Sequence, residues 1–265
     1  MQLAVNGIAQ LYQLPLEQLP IDLIKCPLSP DSRPEVQRAR RHRPVLLHGW
    51  GPPEYAITQP EVPQPELLAE LLRLSGSPAL SVHLDLRGPA GEAGEALARV
   101  ARGAKELRTH LSSLPLRIEN VPYYPERPRP RYLSDPDFIE AALDAAGADL
   151  LLDLAHARVS ADGRSEDLAA YLSSLPLGRV RELHLSGARL EQGRWLDRHM
   201  LLQPADLELA RWLLQRCPGL EVITLEYMGR SSYRRADGSL SDPEPNGPEV
   251  VWEQILLLDA LRRGA

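Results

Sequence analysis

Residues 134–161 read SDPDFIEAALDAAGADLLLDLAHARVSA, and this stretch contains the pattern that decides the fold. It opens with Ser-Asp-Pro, which combines helix-capping side chains with a proline, Pro136, in the first helical turn. Gly147 provides a helix stop, so residues 136–146 are predicted to form a helix. The run Leu-Leu-Leu-Asp at residues 150–153 follows closely, and its three leucines predict a buried strand. A helix that leads into a strand in this way is typical of a parallel βαβ unit.

The same alternation continues in both directions along the chain. Short apolar runs predict eight strands, at residues 3–6, 21–26, 44–48, 80–84, 116–120, 150–153, 180–185 and 222–226. Helices are predicted at residues 66–74, 92–111, 136–146, 165–175, 205–215 and 250–261. Eight such units favour a closed (β/α)8 TIM barrel over an open sheet. We therefore predict an α/β fold with one barrel domain over residues 1–265, somewhat irregular in its first two units.

Composition argues against several other classes of protein. Hydrophobic residues make up 43% of the chain, the net charge is −6 and the pI is about 5.7. This net negative charge argues against a nucleic-acid or membrane-surface partner. No run of apolar residues in the sequence is long enough for a membrane span. The two cysteines have no metal-type spacing, and the N-terminus does not resemble a signal peptide. These features predict a cytoplasmic protein.

Imidazole and carboxylate side chains recur at the carboxyl ends of the third to eighth predicted strands. Nine of them lie at a strand end or in the segment that follows one: His48, His83, Glu119, Asp153, His156, His184, Asp197, His199 and Glu226. The chain has seven histidines, and only His42 and His110 fall outside this set. Because the strand ends of a barrel converge on one face, we expect these side chains to share one cavity.

This set of donors predicts a metal centre. Neutral imidazole and carboxylate suit iron, zinc or manganese, and a carboxylate such as Glu119 can bridge two ions. Paired ions polarise a substrate oxygen or activate bound water or dioxygen. Single residues have simpler interpretations, because Asp153 can cap a helix while His156 lies at the surface. Asp197 and His199 can likewise form an exposed loop pair, but only the metal interpretation accounts for all nine positions at once.

Several segments together resemble one family of enzymes. They are LLHGWG, SVHLDL, RIENVPYY, DPDFIEAALDAAGADLLLDLAHARVSA, ELHLSG, LDRH and TLEYM, which run from about His48 to Glu226. The chain is similar to the multinuclear non-haem iron-dependent oxidative enzymes of the xylose-isomerase-like barrel superfamily. This resemblance implies two or three metal ions, with iron as the first choice and zinc or manganese as alternatives.

The nine positions also resemble the three-zinc site of endonuclease IV, a relative in the same superfamily. That resemblance implies three ligand groups, which are His48, His83 and Glu119; Glu119, Asp153, His184 and Glu226; and His156, Asp197 and His199. The iron family uses dioxygen to oxidise or rearrange cysteine-containing residues of a ribosomally made peptide, usually with a partner protein. The resemblance to the iron family implies a peptide or small-molecule substrate. The residues expected to hold it are Trp50, Asn120, Tyr123, Tyr124, Arg158 and Arg189. Loop packing is the other interpretation of the aromatic residues.

Other functions stay open at this point. A zinc-dependent phosphodiesterase resembling endonuclease IV would use the same ligands. However, binding a duplex needs a broad basic face, and the one candidate is the run RARRHR at residues 38–43. A sugar isomerase or epimerase would use one or two ions, often with a lysine nearby, although a salt bridge is the other interpretation of Lys25. A metal-binding barrel without catalysis is the remaining alternative.

Overall fold

The structure is a computed structural model that describes residues 1–49, 56–59, 61–62, 64–86, 88–89, 91–111, 113–235 and 238–264. Ten strands, β1 to β10 in chain order, occupy Gln2–Asn6, Leu23–Pro27, Val45–His48, Leu80–His83, Leu116–Glu119, Asp149–Asp153, Val180–Leu185, Gly187–Glu191, Arg194–Met200 and Val222–Leu225. Helices α1 to α8 occupy Arg33–Arg40, Pro65–Ser75, Ala93–Leu111, Pro136–Ala146, Leu154–Arg164, Leu168–Ser174, Pro204–Leu214 and Pro248–Arg263. None of these described helices combines the length and apolar character that crossing a bilayer requires.

Eight of the strands close into a parallel barrel in the order β1, β10, β7, β6, β5, β4, β3, β2. The barrel closes where β1 pairs with β10, with Gln2 opposite Val222. All eight predicted strands belong to it, so the predicted barrel is confirmed. β8 and β9 stand apart as a two-stranded antiparallel hairpin that the sequence analysis does not predict.

The first unit of the barrel is irregular, as predicted. Between β1 and β2, the fully described residues 7–22 contain no α-helix but two short 3-10 turns, Leu11–Gln13 and Leu16–Gln18. Leu11 and Leu16 are buried in the main hydrophobic core. The second connection contains the regular helix α1, so the irregularity predicted for the second unit is not observed.

Two helices, α5 and α1, were not predicted, and each omission has a physical reason. The helix predicted at 136–146 forms over those residues, and the one predicted at 165–175 forms as α6. α5 was not predicted because its first eight residues are all buried, which leaves no polar face to produce a helical period. α1 was not among the predicted helices because it buries only Val36 and Ala39, which are too few apolar residues to mark a helical period.

The barrel interior contains a buried network of charges below its carboxyl-terminal rim. Lys25 on β2 pairs with Glu182 on β7, and both side chains are almost completely buried. Arg117 on β5 reaches Glu182 at 2.9 Å and continues to Glu221 at 2.6 Å. The salt-bridge interpretation of Lys25 is therefore confirmed. Because Glu182 lies two residues before His184 on the same strand face, this network supports the strand-end cluster described next.

Candidate metal centre

The carboxyl ends of neighbouring strands bring the predicted ligands together. His48 ends β3, His83 ends β4 and Glu119 ends β5. His83 pairs in register with Glu119, and Asp153 at the end of β6 pairs in register with His184. Residues in register on adjacent strands lie at the same height in the barrel. Register thus places two pairs of ligands side by side, and His48 lies at the end of the next strand.

Glu119 lies at the centre of these side chains and is fully buried. Its Oε2 lies 3.1 Å from His48 Nε2 and 3.2 Å from His83 Nε2. Its Oε1 lies 3.3 Å from His156 Nδ1 and 3.6 Å from His184 Nδ1. One carboxylate thus contacts four imidazoles, two through each oxygen, which is the position that a ligand bridging two ions needs.

Among the described residues, three groups of donor atoms are compact enough to hold a metal ion, with all donors of a group within 4.8 Å of one another. They are His48, Glu119 and His184; Glu119, Asp153, His184 and Glu226; and His156, Asp197 and His199. The second and third groups have the same members as those that the sequence resemblance implies. The first differs because His184 stands in place of His83.

The two ring nitrogens of His184 decide how the first group is completed. Nε2 contacts Lys25 and lies 3.1 Å from a Glu182 oxygen, so Nδ1 is the nitrogen that faces the cluster. Nδ1 lies 3.0 Å from Glu226 Oε2 and therefore serves the second group. The first group then needs another imidazole, and His83 lies beside the appropriate carboxylate oxygen. The atomic contacts thus favour the grouping that the sequence implies.

The third group depends on the β8–β9 hairpin. The sequence predicts a loop for Asp197 and His199, but both lie on β9, and this part of the prediction is wrong. The hairpin turns through Gln192 and Gly193, whose φ angles of 50° and 78° are those of a tight two-residue turn. His156 Nε2 lies 3.3 Å from Asp197 Oδ2, and His199 Nδ1 lies 3.2 Å from Asp197 Oδ1.

The donor atoms of the cluster are buried without hydrogen-bond partners. Thirteen buried side-chain nitrogen or oxygen atoms of the described residues lack a partner, and eight of them belong to the predicted ligands. Those eight are both oxygens of Glu119 and one atom each of His48, His83, Asp153, His184, Asp197 and Glu226. Each unpaired buried polar atom costs about 1–3 kcal/mol, so such clustering is unusual. Coordination satisfies such atoms, and the residues therefore fit a group of metal ions.

Burial keeps two of the imidazoles neutral. It lowers the pKa of His48 to about 3, with the Lys25 charge adding to the effect, and it also lowers the pKa of His83. A neutral imidazole has a lone pair available for a metal ion. His48 Nδ1 lies 2.8 Å from the Ser81 hydroxyl, which leaves Nε2 directed at the central carboxylate.

Two other imidazoles carry protons that balance the buried carboxylates. Burial opposes a charge on His156, but Asp153 and Asp197 raise its pKa well above the ordinary value. For His184, burial is likewise outweighed by carboxylates, Glu226 foremost, and its pKa is also raised well above the ordinary value. Burial raises the pKa of Asp153 itself to about 7. Since ligands bind metals without these protons, metal binding must release them.

Asn120, predicted to bind substrate, makes hydrogen bonds that orient two of the predicted ligands. Its side chain accepts a hydrogen bond from the Asp153 N–H at 2.7 Å and donates one to the Asp153 carbonyl at 3.1 Å. Its backbone carbonyl accepts from His156 Nδ1 at 2.8 Å, which leaves Nε2 for the third group. Asp153 Oδ1 caps α5 by accepting from the His156 N–H at 2.6 Å. The cap interpretation of Asp153 thus holds for one oxygen, while the other faces the cluster and His156 is buried.

A cavity of about 430 Å³ opens above the cluster. Six of the nine predicted ligands line it, together with Asp85 and Met228. Arg127, Arg129 and Arg230 also line it, although the sequence analysis does not single them out. Their signal in the sequence is weak, because arginine is common in this chain and loop residues follow no period.

The predicted aromatic pocket residues have different surroundings. Trp50 lies outside the described residues. Tyr123 is half-buried in the loop after β5, where its N–H donates to the Ser160 hydroxyl at 3.1 Å. Tyr124 is buried, and its hydroxyl accepts a hydrogen bond from the Asp197 N–H at 3.2 Å. Tyr124 therefore supports the strand that carries two ligands of the third group.

Arg158 and Arg189 are not among the described residues that line the cavity, and their role in substrate binding stays a prediction. Arg158 donates to Asp206 at 2.7 Å and stacks on Trp195 of the hairpin. Arg189 donates to Glu244 at 2.6 Å and to a backbone carbonyl at the end of the hairpin at 3.1 Å. Both arginines are buried, and these contacts pair their charges and hold the hairpin.

The fold and the site together define an eight-stranded α/β barrel with a candidate metal centre at the carboxyl ends of its strands. A family model described as RiPP precursor modification enzyme MbnB/TglH/ChrH matches residues 29–226. The match covers most of the chain and six of the eight barrel strands, which are β3 to β7 and β10. The chain belongs to this family, and the family expected from the sequence is confirmed.

Individual relatives match shorter stretches. A UPF0276 protein from Shewanella amazonensis is 32% identical over 97 residues, which are 37% of this chain and 34% of that protein. A UPF0276 protein from Caulobacter vibrioides is 29% identical over 168 residues, 60% of this chain and 59% of that protein. The matched stretches therefore span less than two thirds of these relatives.

Solved structures agree on the fold. The IOLI protein, crystallised with a zinc atom, aligns with a TM-score of 0.64 at 12% identity over 99% of this chain and 96% of that chain. A xylose isomerase domain containing protein from Salmonella typhimurium aligns with a TM-score of 0.60 at 13% identity over 98% of this chain and 97% of that chain. At these identities the likeness shows the fold alone, which is the predicted xylose-isomerase-like barrel.

Proposed function

We propose that this chain is a multinuclear non-haem iron enzyme that uses dioxygen to modify cysteine-containing residues of a ribosomally made peptide. The observation that carries the proposal is the central position of Glu119 between two compact ligand groups, in a chain whose family is described as modifying peptide precursors. Bound iron would supply redox chemistry with dioxygen and a Lewis-acid site for a substrate thiolate. The substrate, dioxygen and a partner protein are all parts of this proposal.

The ligand set supports two or three ions. The described donors are imidazole nitrogens and carboxylate oxygens without a protein thiolate, which suits iron and also admits zinc or manganese. Glu119 would bridge the first two groups through its separate oxygens, and the third group would sit under the hairpin. Buried neighbours fix each ligand before any ion binds, as Ser81 does for His48 and Asn120 for His156.

The chain itself contributes substrate placement and control of protons. The cavity of about 430 Å³ is large enough for one or two residues of a peptide but not for a folded partner. His156 and His184 hold protons that metal binding displaces. The hairpin covers one side of the cluster and limits its exposure to water, which protects reactive species from side reactions.

The test is to purify the protein without oxygen and count its metals by elemental analysis, beside a His184→Ala variant. Two or three irons per chain, with fewer in the variant, and dioxygen uptake in the presence of a cysteine-containing peptide would support the proposal. A His110→Ala variant is the matched control, because His110 lies on α3 away from the cluster. Two or three zinc ions with phosphodiesterase activity would replace the proposal with the hydrolytic alternative.

A further inference from the structure

We propose that Arg127 and Arg230 form a carboxylate-recognition site at the mouth of the metal cavity. The substrate would then carry a carboxylate near the group that reaches the cluster. This inference deepens the proposed function and rests on it for the peptide nature of the substrate. It concerns residues outside the ligand set.

The first observation is the different engagement of the three arginines that line the cavity. Arg129 is committed, because it donates to Asp85 at 3.1 Å and to the Pro122 carbonyl at 3.0 Å. Arg127 stacks its guanidinium 3.9 Å above the Tyr124 ring and makes no ion pair with any described residue. Arg230 makes neither an ion pair nor a side-chain hydrogen bond within the described part of the chain.

The second observation is that the acidic groups of the cavity are already engaged. Asp85 pairs with Arg129, and Asp197 and Glu226 contact imidazoles of the cluster. The described cavity wall therefore offers no carboxylate to balance Arg127 and Arg230. Two unbalanced cations at the mouth of one cavity, on a chain with a net charge of −6, favour an anionic ligand.

The third observation is where the two arginines come from. Arg127 belongs to the loop after β5 and Arg230 to the segment after β10, and these strands are three positions apart around the barrel. They can therefore approach a ligand from two sides. Each guanidinium presents a planar fork of donors that matches a carboxylate. The Tyr124 ring under Arg127 limits the directions in which that fork can point.

A second cavity argues for an extended ligand. It measures about 240 Å³ and shares Asp85, Arg127 and Arg129 with the cavity above the cluster. Its remaining wall includes the apolar side chains of Leu86 and Pro128. A peptide can occupy both cavities by passing Arg127, whereas a single sugar would fill only one. The carboxylate can come from an acidic side chain or from the end of the peptide.

The experiment measures peptide binding by calorimetry to the protein as purified, without oxygen so that no turnover occurs. One pair of acetylated, amidated hexapeptides has an internal cysteine next to either aspartate or asparagine. A second pair ends on cysteine with either a free carboxylate or an amide. We expect the acidic member of at least one pair to bind roughly 20-fold more tightly than its neutral partner. The pair that shows this preference identifies the source of the carboxylate.

The variants are Arg127→Gln and Arg230→Gln, with Arg73→Gln as the control. Arg73 is exposed on α2 and loses the same charge away from the cavity. Arg127→Gln and Arg230→Gln should each weaken the affinity for the acidic peptide about fivefold. Neither should change the affinity for the neutral peptide more than about twofold. The control should leave both affinities unchanged. Raising the ionic strength should reduce the preference for the acidic peptide, because the arginines are exposed.

Absence of any acidic preference in both pairs would overturn the inference, and so would a preference that survives both mouth substitutions. Tighter binding of inorganic phosphate than of either acidic peptide would also overturn it, since the arginines would then form a phosphate site. Failure of the proposed function would be a separate result from failure of this inference. A chain without iron or dioxygen uptake can still show a preference that depends on these arginines, and an active enzyme can lack it.

Discussion

Glu119 offers the sharpest test of the cluster, through a Glu119→Gln substitution. Glutamine keeps the size of the side chain but removes the charge and one of the two oxygens. Since Glu119 contacts His48 and His83 through Oε2 and His184 through Oε1, the substitution removes a ligand from two groups at once. His199→Ala, in contrast, removes a ligand from the third group alone.

The magnitude follows from counting groups. Three groups of donors predict as many as three ions per chain, of which two depend on Glu119 and one does not. We therefore expect Glu119→Gln to retain about one ion and His199→Ala about two. The ion kept by Glu119→Gln should be the one held under the hairpin by His156 and Asp197.

The assay is elemental analysis of anaerobically purified protein, with the metal content divided by the protein concentration. His110→Ala controls for the loss of a histidine, because the ion-pair partner of His110 among the described residues is Glu106 on its own helix. A thermal melt of each metal-free variant checks that the barrel still folds. Equal metal loss in Glu119→Gln and His199→Ala would refute the idea that Glu119 is shared between groups, and full metal content in Glu119→Gln would refute its role as a ligand.

Three further outcomes follow from buried charges. Because burial raises the pKa of Asp153 to about 7, metal affinity should rise as the pH increases from about 5 to about 7, and Asp153→Asn should flatten this dependence in competition titrations. Lys25→Met leaves Glu182 with one fewer partner and should lower the free energy of unfolding in urea by about 3 kcal/mol; the exposed Lys105→Met should change it by under about 0.5 kcal/mol. Burial also raises the pKa of Glu35 to about 7, so the folded chain binds an extra proton between about pH 4.5 and 7. The free energy of unfolding should therefore fall as the pH rises through this range. This fall should be absent in Glu35→Gln.

The barrel was predictable because its strands are short, apolar and separated by helical stretches. The unpredicted α5 shows the limit of this approach. Asp153 ends a strand and begins a helix within one residue, and the helix is buried on all sides, so no change of period marks the boundary. The hairpin was missed for a different reason. Its turn is Gln192-Gly193, and glutamine is not among the residues that usually signal such a turn.

The ligand positions were predictable because a strand end fixes both the height and the direction of a side chain. The supporting residues had a similar but weaker signal. Ser81 lies two residues before His83, and Glu182 lies two residues before His184, so each points to the same face of its strand. Ser81, however, bonds His48 on the neighbouring strand, and this cross-strand contact depends on register, which the sequence alone does not specify.

Arg158 and Arg189 illustrate why residue type alone misleads. The chain holds 30 lysine and arginine residues, nearly all of them arginine, so an arginine near a site has little meaning unless its partners are known. Both are buried against carboxylates, whereas Arg127 and Arg230 at the cavity mouth have no carboxylate partner among the described residues. The two pairs differ in whether a carboxylate lies beside the guanidinium. This depends on the tertiary structure, which the residue type alone does not give.

The contacts of the buried Arg158 and Arg189 also show how the cluster is built. The first two ligand groups stand on barrel strands and the α5 cap, whose positions are fixed by register and packing. The third group takes Asp197 and His199 from a hairpin held by Arg158 and Arg189. His199 also has a φ of 50°, a conformation that costs a residue other than glycine about 1–3 kcal/mol and is retained where function requires it. The third group therefore depends on the contacts that hold the hairpin, whereas Glu119 and its strand neighbours depend on the register of the barrel.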